Sequence, residues 1–355
     1  MLLQGETDGT RPRNIATNDE FLDTIKLSLD NEYVVMGDVA IGEPPTGTKQ
    51  EVNGKMIEWY GFVRLIVLVR ASHPLSKDYT SFKTVIAPFG DKQSMYEPHV
   101  YPKDASPDKG GVCVVIESLD LVIVCCHLYG TNKYGVPEKT FDAKRRFQLR
   151  HMSEMFQYYL PPGRLSNMNK IVLGDFNFRA EMHPDPEDKV KGGRDWQSVQ
   201  SHLSKDWKGG SKEDKDTGVR RLFHRHDRLN TWMVKSGVWE EDETYGEGAG
   251  EEQDTEEREN DEVEFGLSEG VPEVLLNTSD AIAEARGEFC YPTFTFKIGD
   301  KKVPREYAEK RTPSWTDRVI YGGALTLRDV GVERKVIASD HEPVYATFLL
   351  KQATT

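Results

Sequence analysis

The sequence predicts an α/β fold of the α+β kind, with mixed or antiparallel sheets covered by helices. Two observations point there. Short runs of β-branched and aromatic residues outnumber helical periodicities. They also come in adjacent pairs joined by short turns, which favours strands pairing with their chain neighbours over a strict alternation of strand and helix. No internal repeat is visible. No apolar run approaches the ~18 residues of a membrane span; the longest, Leu65–Val69 and Leu119–Cys126, have strand length.

The first element is a helix over Glu20–Leu29, where Phe21, Ile25 and Leu29 recur every fourth residue and share a face. Strand-like runs follow at Tyr33–Ile41, Phe62–Arg70, Gly111–Glu117 and Leu119–His127, most of them rich in Val, Ile and Phe. A long helix over Thr140–Leu160 begins after a Pro-Glu-Lys turn and carries Phe147, Met152, Met155 and Phe156 among many basic residues. Lys170–Leu173 is a short strand, Pro184–Asp216 a polar loop with a weak helix, and Arg221–Lys235 a third helix. Residues 240–288 form an acidic insertion expected to be disordered, because its few unphased apolar residues cannot offset the entropy of ordering it. Phe294–Ile298, Arg318–Tyr321 and Val344–Leu350 complete the strands. The whole of 1–355 is read as one domain.

With 37% hydrophobic residues the chain can bury a substantial core. Its net charge of −13 is unevenly placed: Glu240–Glu264 holds 14 acidic residues against one basic residue, Arg258, and carries the entire excess. The global charge therefore excludes little about a substrate. The run reads as a solvated loop, with a docking or inhibitory segment as the alternative. Cys125 and Cys126 are adjacent inside an apolar run, and Cys113 and Cys290 make no Cys-x-x-Cys spacing. That pattern fits buried free thiols in a reducing compartment better than a disulfide frame or a zinc site. Met1-Leu2-Leu3 runs straight into Gln4, Glu6 and Asp8 without a signal-peptide pattern, and Lys351–Thr355 carries no prenylation box.

Three motifs carry chemistry. In Ile171-Val172-Leu173-Gly174-Asp175-Phe176-Asn177-Phe178-Arg179 an apolar strand delivers Asp175 and Asn177, which share a face if the strand continues. Such a pair can bind a hard cation, or hold and deprotonate a water while the amide donates to a phosphate oxygen. The plain alternative is an Asx turn after a strand. Ser339-Asp340-His341-Glu342-Pro343-Val344 places a carboxylate and an imidazole just before a strand; an ordinary surface pair would read the same. In Arg311-Thr312-Pro313-Ser314-Trp315-Thr316-Asp317-Arg318 a carboxylate sits at the entry to an apolar strand between arginines. It could orient a histidine as the third member of a triad does, or make an ordinary ion pair.

Taken together, in this order and spacing, the three motifs resemble the signatures of the inositol polyphosphate 5-phosphatases of the endonuclease/exonuclease/phosphatase superfamily. Gly-Asp-Phe-Asn-Phe-Arg is similar to their Gly-Asp-Leu-Asn-Tyr-Arg, Pro-Ser-Trp-Thr-Asp-Arg-Val to Pro-Ala-Trp-Cys-Asp-Arg-Ile, and Ser-Asp-His-Glu-Pro-Val to Ser-Asp-His-x-Pro-Val. Weaker echoes run through Lys109-Gly110-Gly111-Val112, Cys126-His127-Leu128, Lys144-Arg145-Arg146, His226-Asp227-Arg228-Leu229 and Pro292-Thr293-Phe294-Thr295-Phe296-Lys297. The resemblance implies a DNase I-like fold, a four-layer α-β-β-α sandwich of two mixed sheets with the site at one rim. It implies Mg²⁺-dependent removal of the 5-phosphate from phosphoinositides or soluble inositol polyphosphates. Asp175 would position or deprotonate the attacking water, Asn177 would hold the phosphate, and Asp317 would orient His341, which stabilises the pentavalent phosphorus or shuttles a proton. His127 would contact the phosphate or the leaving side. Lys109, Arg146, Arg179, Lys310 and Arg311 would meet ring phosphates, since a polyanion calls for a focused cationic pocket. Glu6 and Asp340 would serve the metal. The implied location is the cytoplasm, with peripheral membrane contact if the substrate is a lipid. No nucleic-acid partner is expected, and the oligomeric state is left open.

The chain departs from that family in places. An opening strand with a Thr-Trp-Asn motif is missing, so the chain is expected to be N-terminally incomplete or else to build its sheet differently. Met1–Glu6 resembles the family's second strand, with Gly5 intruding between Gln4 and the metal residue Glu6. Thr295, Asp108 and Phe147 replace a Lys and two Asn of the family, which leaves ring-phosphate selectivity open. Two rivals stand beside this expectation: a nuclease or sphingomyelinase-like phosphodiesterase of the same superfamily, and a catalytically weak phosphoinositide-binding protein.

Overall fold

The computed structural model describes residues 20–41, 49–52, 55–58, 63–90, 105–130, 138–161, 163–181, 199, 219, 222–235, 283–284, 291–302, 305–308, 311–333, 335, 337 and 339–351. In chain order the main elements are α1 (Glu20–Ser28), β1 (Tyr33–Ile41), β2 (Lys49–Val52), β3 (Lys55–Glu58), β4 (Val63–Arg70), β5 (Phe82–Gly90), β6 (Ala105–Ile116) and β7 (Leu121–His127). Then come α2 (Glu138–Tyr159), α3 (Arg164–Asn167), β8 (Asn169–Asp175), α4 (Arg228–Lys235), β9 (Ala283–Glu284), β10 (Asp317–Gly322), β11 (Leu325–Val332) and β12 (Val344–Leu350). Mixed sheets with helices make this an α/β fold. No described helix is long and apolar enough to cross a membrane.

The chain divides into two compact units, each discontinuous in sequence. One comprises Met1–His127 and His151–Val172, the other Leu128–Arg150 and Leu173–Thr355. In the first, β1 and β4 pair antiparallel, with an irregularity between Val35 and Gly37. Val63, Leu65 and Val67 are buried on one face of β4, while on the other Arg64 makes two hydrogen bonds to Asp38 across the ladder, at 2.8 and 2.7 Å. β5, β6, β7 and β8 lie side by side in that order. β6 is covered on both faces, so Val112 to Ile116 are all buried. On one face Gly37 of β1 comes so close that a Cβ there would lie 3.1 Å from Val114; on the opposite face Gly111 lies under Met152 of α2. Cys113 and Cys126 are buried and Cys125 is partly so. Burial pushes the Cys125 thiol up to about 11 and that of Cys113 higher still.

In the second unit β10 pairs antiparallel with the short β9, Ile320 with Glu284 and Tyr321 with Ala283. That pairing falls inside the expected acidic insertion, most of which lies outside the described residues. β11 and β12 form an antiparallel hairpin. Val199, Val219, Leu222, Phe223, Phe296, Tyr307 and Trp315 build the core. Against it a fully buried ion pair joins Arg318 to Asp227, with nitrogen–oxygen distances of 2.9 and 3.0 Å. The expected strand Phe294–Ile298 is not one. Phe294 makes single bridges to Ser314 and to His341, and Phe296 one to Tyr307. A segment bridged alternately to different partners has no single ladder to extend.

Candidate active site

β8 ends in the second unit at Asp175, and the chain turns sharply there. Gly174 has φ 133° and Asn177 φ 57°, the first open to glycine, the second tolerated by asparagine. One oxygen of Asp175 accepts the Asn177 N–H at 2.9 Å, so the Asx turn forms. The other faces the imidazole of His341, with Oδ2 4.0 Å from Nε2. The turn and the chemistry thus use different oxygens of one carboxylate.

Because the strand stops at Asp175, Asn177 does not share its face. It is 2% exposed, its amide donates to the Leu128 carbonyl at 2.9 Å, and its own carbonyl accepts from Arg179 Nη2 at 2.6 Å. The side chain ties the turn to the segment after β7, where Leu128 N–H also donates to the Asp175 carbonyl at 2.9 Å.

Asp317 opens β10 and meets His341 as the motifs suggested. Nδ1 of the ring lies 2.9 Å from Oδ2 and 3.2 Å from Oδ1. A carboxylate acceptor fixes the proton on Nδ1, leaving Nε2 to face Asp175. Burial opposes a charge on this ring. The hydrogen bond and charge of Asp317, with the charges of Asp175 and Asp340, outweigh that and hold the His341 pKa above its ordinary value. Thr293 and Thr316, which the motifs gave no reason to single out, donate to the same Asp317 oxygen at 2.7 and 3.1 Å. A hydroxyl beside the carboxylate in Trp-Thr-Asp was the available signal for Thr316.

Phe294 is the floor of this group. Its ring centroid lies 4.5 Å from that of His341. The guanidinium of Arg179 stacks over it at 4.1 Å and that of Arg311 approaches at 5.6 Å, within the range in which a cation is drawn to a ring face. Asp340 is half-buried and its carbonyl accepts the Phe296 N–H at 2.8 Å. Arg146, on α2, holds its guanidinium over the Trp232 ring at 5.9 Å. In the first unit Lys109 and His127 form their own pair, with Nζ 2.6 Å from Nε2. Lys310 and Glu6 lie outside the described residues.

Among the described residues no group of three or more His, Cys, Asp or Glu is placed to hold a metal ion. A magnesium-type cation does not require one, since it keeps waters and takes one or two carboxylates together with substrate oxygens. Asp340 is a hard oxygen donor of the right kind.

No family model matches the chain. The polyphosphatidylinositol phosphatase INP53 of Saccharomyces cerevisiae is 40% identical over 60 residues, a match that spans 17% of this chain and 5% of that protein. Among solved structures, the inositol polyphosphate 5-phosphatase domain of SPsynaptojanin, in complex with inositol (1,4)-bisphosphate and calcium ion, aligns over 92% of this chain and 67% of that one, with a TM-score of 0.50 and 17% identity. Cimex nitrophorin as its ferrous NO complex aligns over 92% and 78%, with a TM-score of 0.47 and 14% identity. The chain thus has the DNase I-like fold of the synaptojanin domain.

Proposed function

We propose that this chain is a divalent-cation-dependent phosphomonoesterase that removes the 5-phosphate from phosphoinositides or soluble inositol polyphosphates. The observation that carries the proposal is the line of three side chains, Asp317 to His341 to Asp175. The 4.0 Å between His341 Nε2 and Asp175 Oδ2 is too long for a direct hydrogen bond. One oxygen atom can lie within hydrogen-bond reach of both, which is where an attacking water or a phosphoryl oxygen would sit. Asp175 then orients the water and takes its proton, and His341, its pKa raised by Asp317, faces the charge that gathers on phosphorus. Arg311, exposed beside Phe294, and the buried Arg179 over the same ring supply positive charge to a polyanionic substrate. The motif resemblance, the shared fold and the similarity to a polyphosphatidylinositol phosphatase support the substrate class.

Mg²⁺ is the proposed cation, and Asp340 is the described carboxylate that would help to hold it; when bound it would polarise a phosphoryl oxygen. A cytoplasmic location with peripheral membrane contact belongs to the same proposal. The test is phosphate release from a panel of inositol phosphates and phosphoinositide vesicles, with Mg²⁺ and with chelator, beside nicking of plasmid DNA. Release that needs the cation and falls by roughly three orders of magnitude or more in Asp175→Asn supports the proposal. DNA nicking without phosphate release, or an Asp175→Asn variant within about threefold of the parent, overturns it.

A further inference from the structure

We propose that Thr293 is the positioning residue of this site: its hydroxyl locks the Asp317 carboxylate against His341, and without it the dyad loses its alignment. The inference rests on the phosphatase reading above.

Three donors converge on one oxygen. Asp317 Oδ2 receives Thr293 Oγ1 at 2.7 Å, His341 Nδ1 at 2.9 Å and Thr316 Oγ1 at 3.1 Å. The Thr293 bond is the shortest of the three. The same hydroxyl accepts the Asp317 N–H at 3.4 Å, so it holds the residue by backbone and side chain together. The Thr293 carbonyl also accepts the Glu342 N–H at 2.9 Å, which anchors the chain one residue beyond His341. One threonine therefore ties both halves of the dyad to a third segment of chain.

The two hydroxyls are not equivalent. Thr316 precedes Asp317 directly and moves whenever Asp317 moves, so it adds no independent anchor. Thr293 arrives from 24 residues away in sequence and pins the carboxylate from outside β10. A carboxylate bonded to an imidazole alone can turn about its Cβ–Cγ bond and let the ring follow. Fixing Oδ2 from a separate segment removes that freedom. Thr293 is 4% exposed, so its hydroxyl does not reach a substrate and acts only through Asp317.

The test compares Thr293→Val, which keeps shape and loses the hydroxyl, with Thr293→Ser, which keeps the hydroxyl. Two readouts are taken: kcat and KM for phosphate release, and the downfield proton resonance of His341 Nδ1–H. A hydrogen bond to a charged acceptor sets the scale, so Thr293→Val should lower kcat about ten- to a hundredfold with KM changed less than about twofold. Its Nδ1–H resonance should broaden by faster exchange with water. Thr293→Ser should recover kcat to within about threefold and restore the resonance. A Thr293→Val variant with near-parental kcat and an unchanged resonance overturns the inference, as does a Thr293→Ser variant as impaired as Thr293→Val. Thr293→Ala is read in the same way if the valine variant does not fold. If the parent releases phosphate from no substrate, the phosphatase proposal fails, and the resonance in the Val and Ser variants decides the positioning claim by itself.

Discussion

Two histidines in this chain answer pH in opposite senses. His341 has its pKa raised, burial being outweighed by Asp317, Asp175 and Asp340. A group raised on folding stabilises the native state fully below its unfolded pKa of about 6.5, and that stabilisation is lost as pH rises through the folded value. With chelator present, the melting-temperature gap between the parent and Asp317→Asn should therefore be widest near pH 5.5 and should narrow toward pH 9. A gap that widens with pH would mean that His341 is not held as a cation. His151, on α2, has its pKa lowered by burial, which the charge of Glu154 only partly offsets. Here the unfolded chain binds the extra proton, so stability is present above about pH 6.5 and is lost as pH falls. A His151→Leu variant should lose less melting temperature than the parent between pH 8 and pH 5.5. Equal losses would show that the buried ring is not what acid attacks.

At the level of the element, the contact between β6 and α2 is the tightest sequence-encoded fit. A Cβ on Gly111 would lie 1.9 Å from Sδ of Met152, and Met152 is fully buried. Gly111→Ala should destabilise by about 1–3 kcal/mol, the usual cost of overpacking. Met152→Ala, which opens the space, should make the two changes strongly non-additive. Denaturant melts of the four proteins check this; simple additivity would show that Met152 swings clear. How far elements could be read in advance depended on whether burial left a period. β1 and β12 stood out because their apolar residues are contiguous or alternating. β5 was hidden by Pro88 and by polar residues at its start, although its ladder to β6 runs from Phe82 to Gly90. β11 was hidden by Arg328 and Asp329, both exposed, where the hairpin register shifts. Phe294 to Phe296 carry strand-like residues for another purpose, since their rings floor the site and enter the core. Asp175, Asp317 and His341 were legible because motif and geometry coincide. The local conformation of Asn177 was not legible, since it depends on a left-handed turn that the residue order alone does not fix. Thr293 was invisible because its partner is far away in sequence.

Across the whole molecule the sharpest contrast is electrostatic. The chain carries −13, and Glu240–Glu264 holds all of that excess, so the remainder is formally neutral. The proposed substrate is a polyanion, and the candidate site offers it the exposed Arg311 together with the buried charge of Arg179. An anionic run on the same chain that comes within reach of the site can repel the substrate at a distance or compete with it for those cations. Both effects act through solvent and are screened beyond a Debye length, about 10 Å at 0.1 M salt and about 30 Å at 0.01 M. Replacing the acidic residues of Glu240–Glu264 with their amides should therefore lower KM for a soluble inositol polyphosphate several-fold at about 0.01 M salt. The difference should shrink toward nothing by about 0.5 M. kcat should stay unchanged, because neither effect touches the bound complex once substrate displaces the run. Direct competition and distant repulsion separate in the shape of the salt curve. Competition by a segment that sits on Arg311 persists to higher salt, since paired charges at contact are screened less than separated ones. A KM indifferent to the substitution at every salt concentration would show that the run lies electrically out of reach of the site.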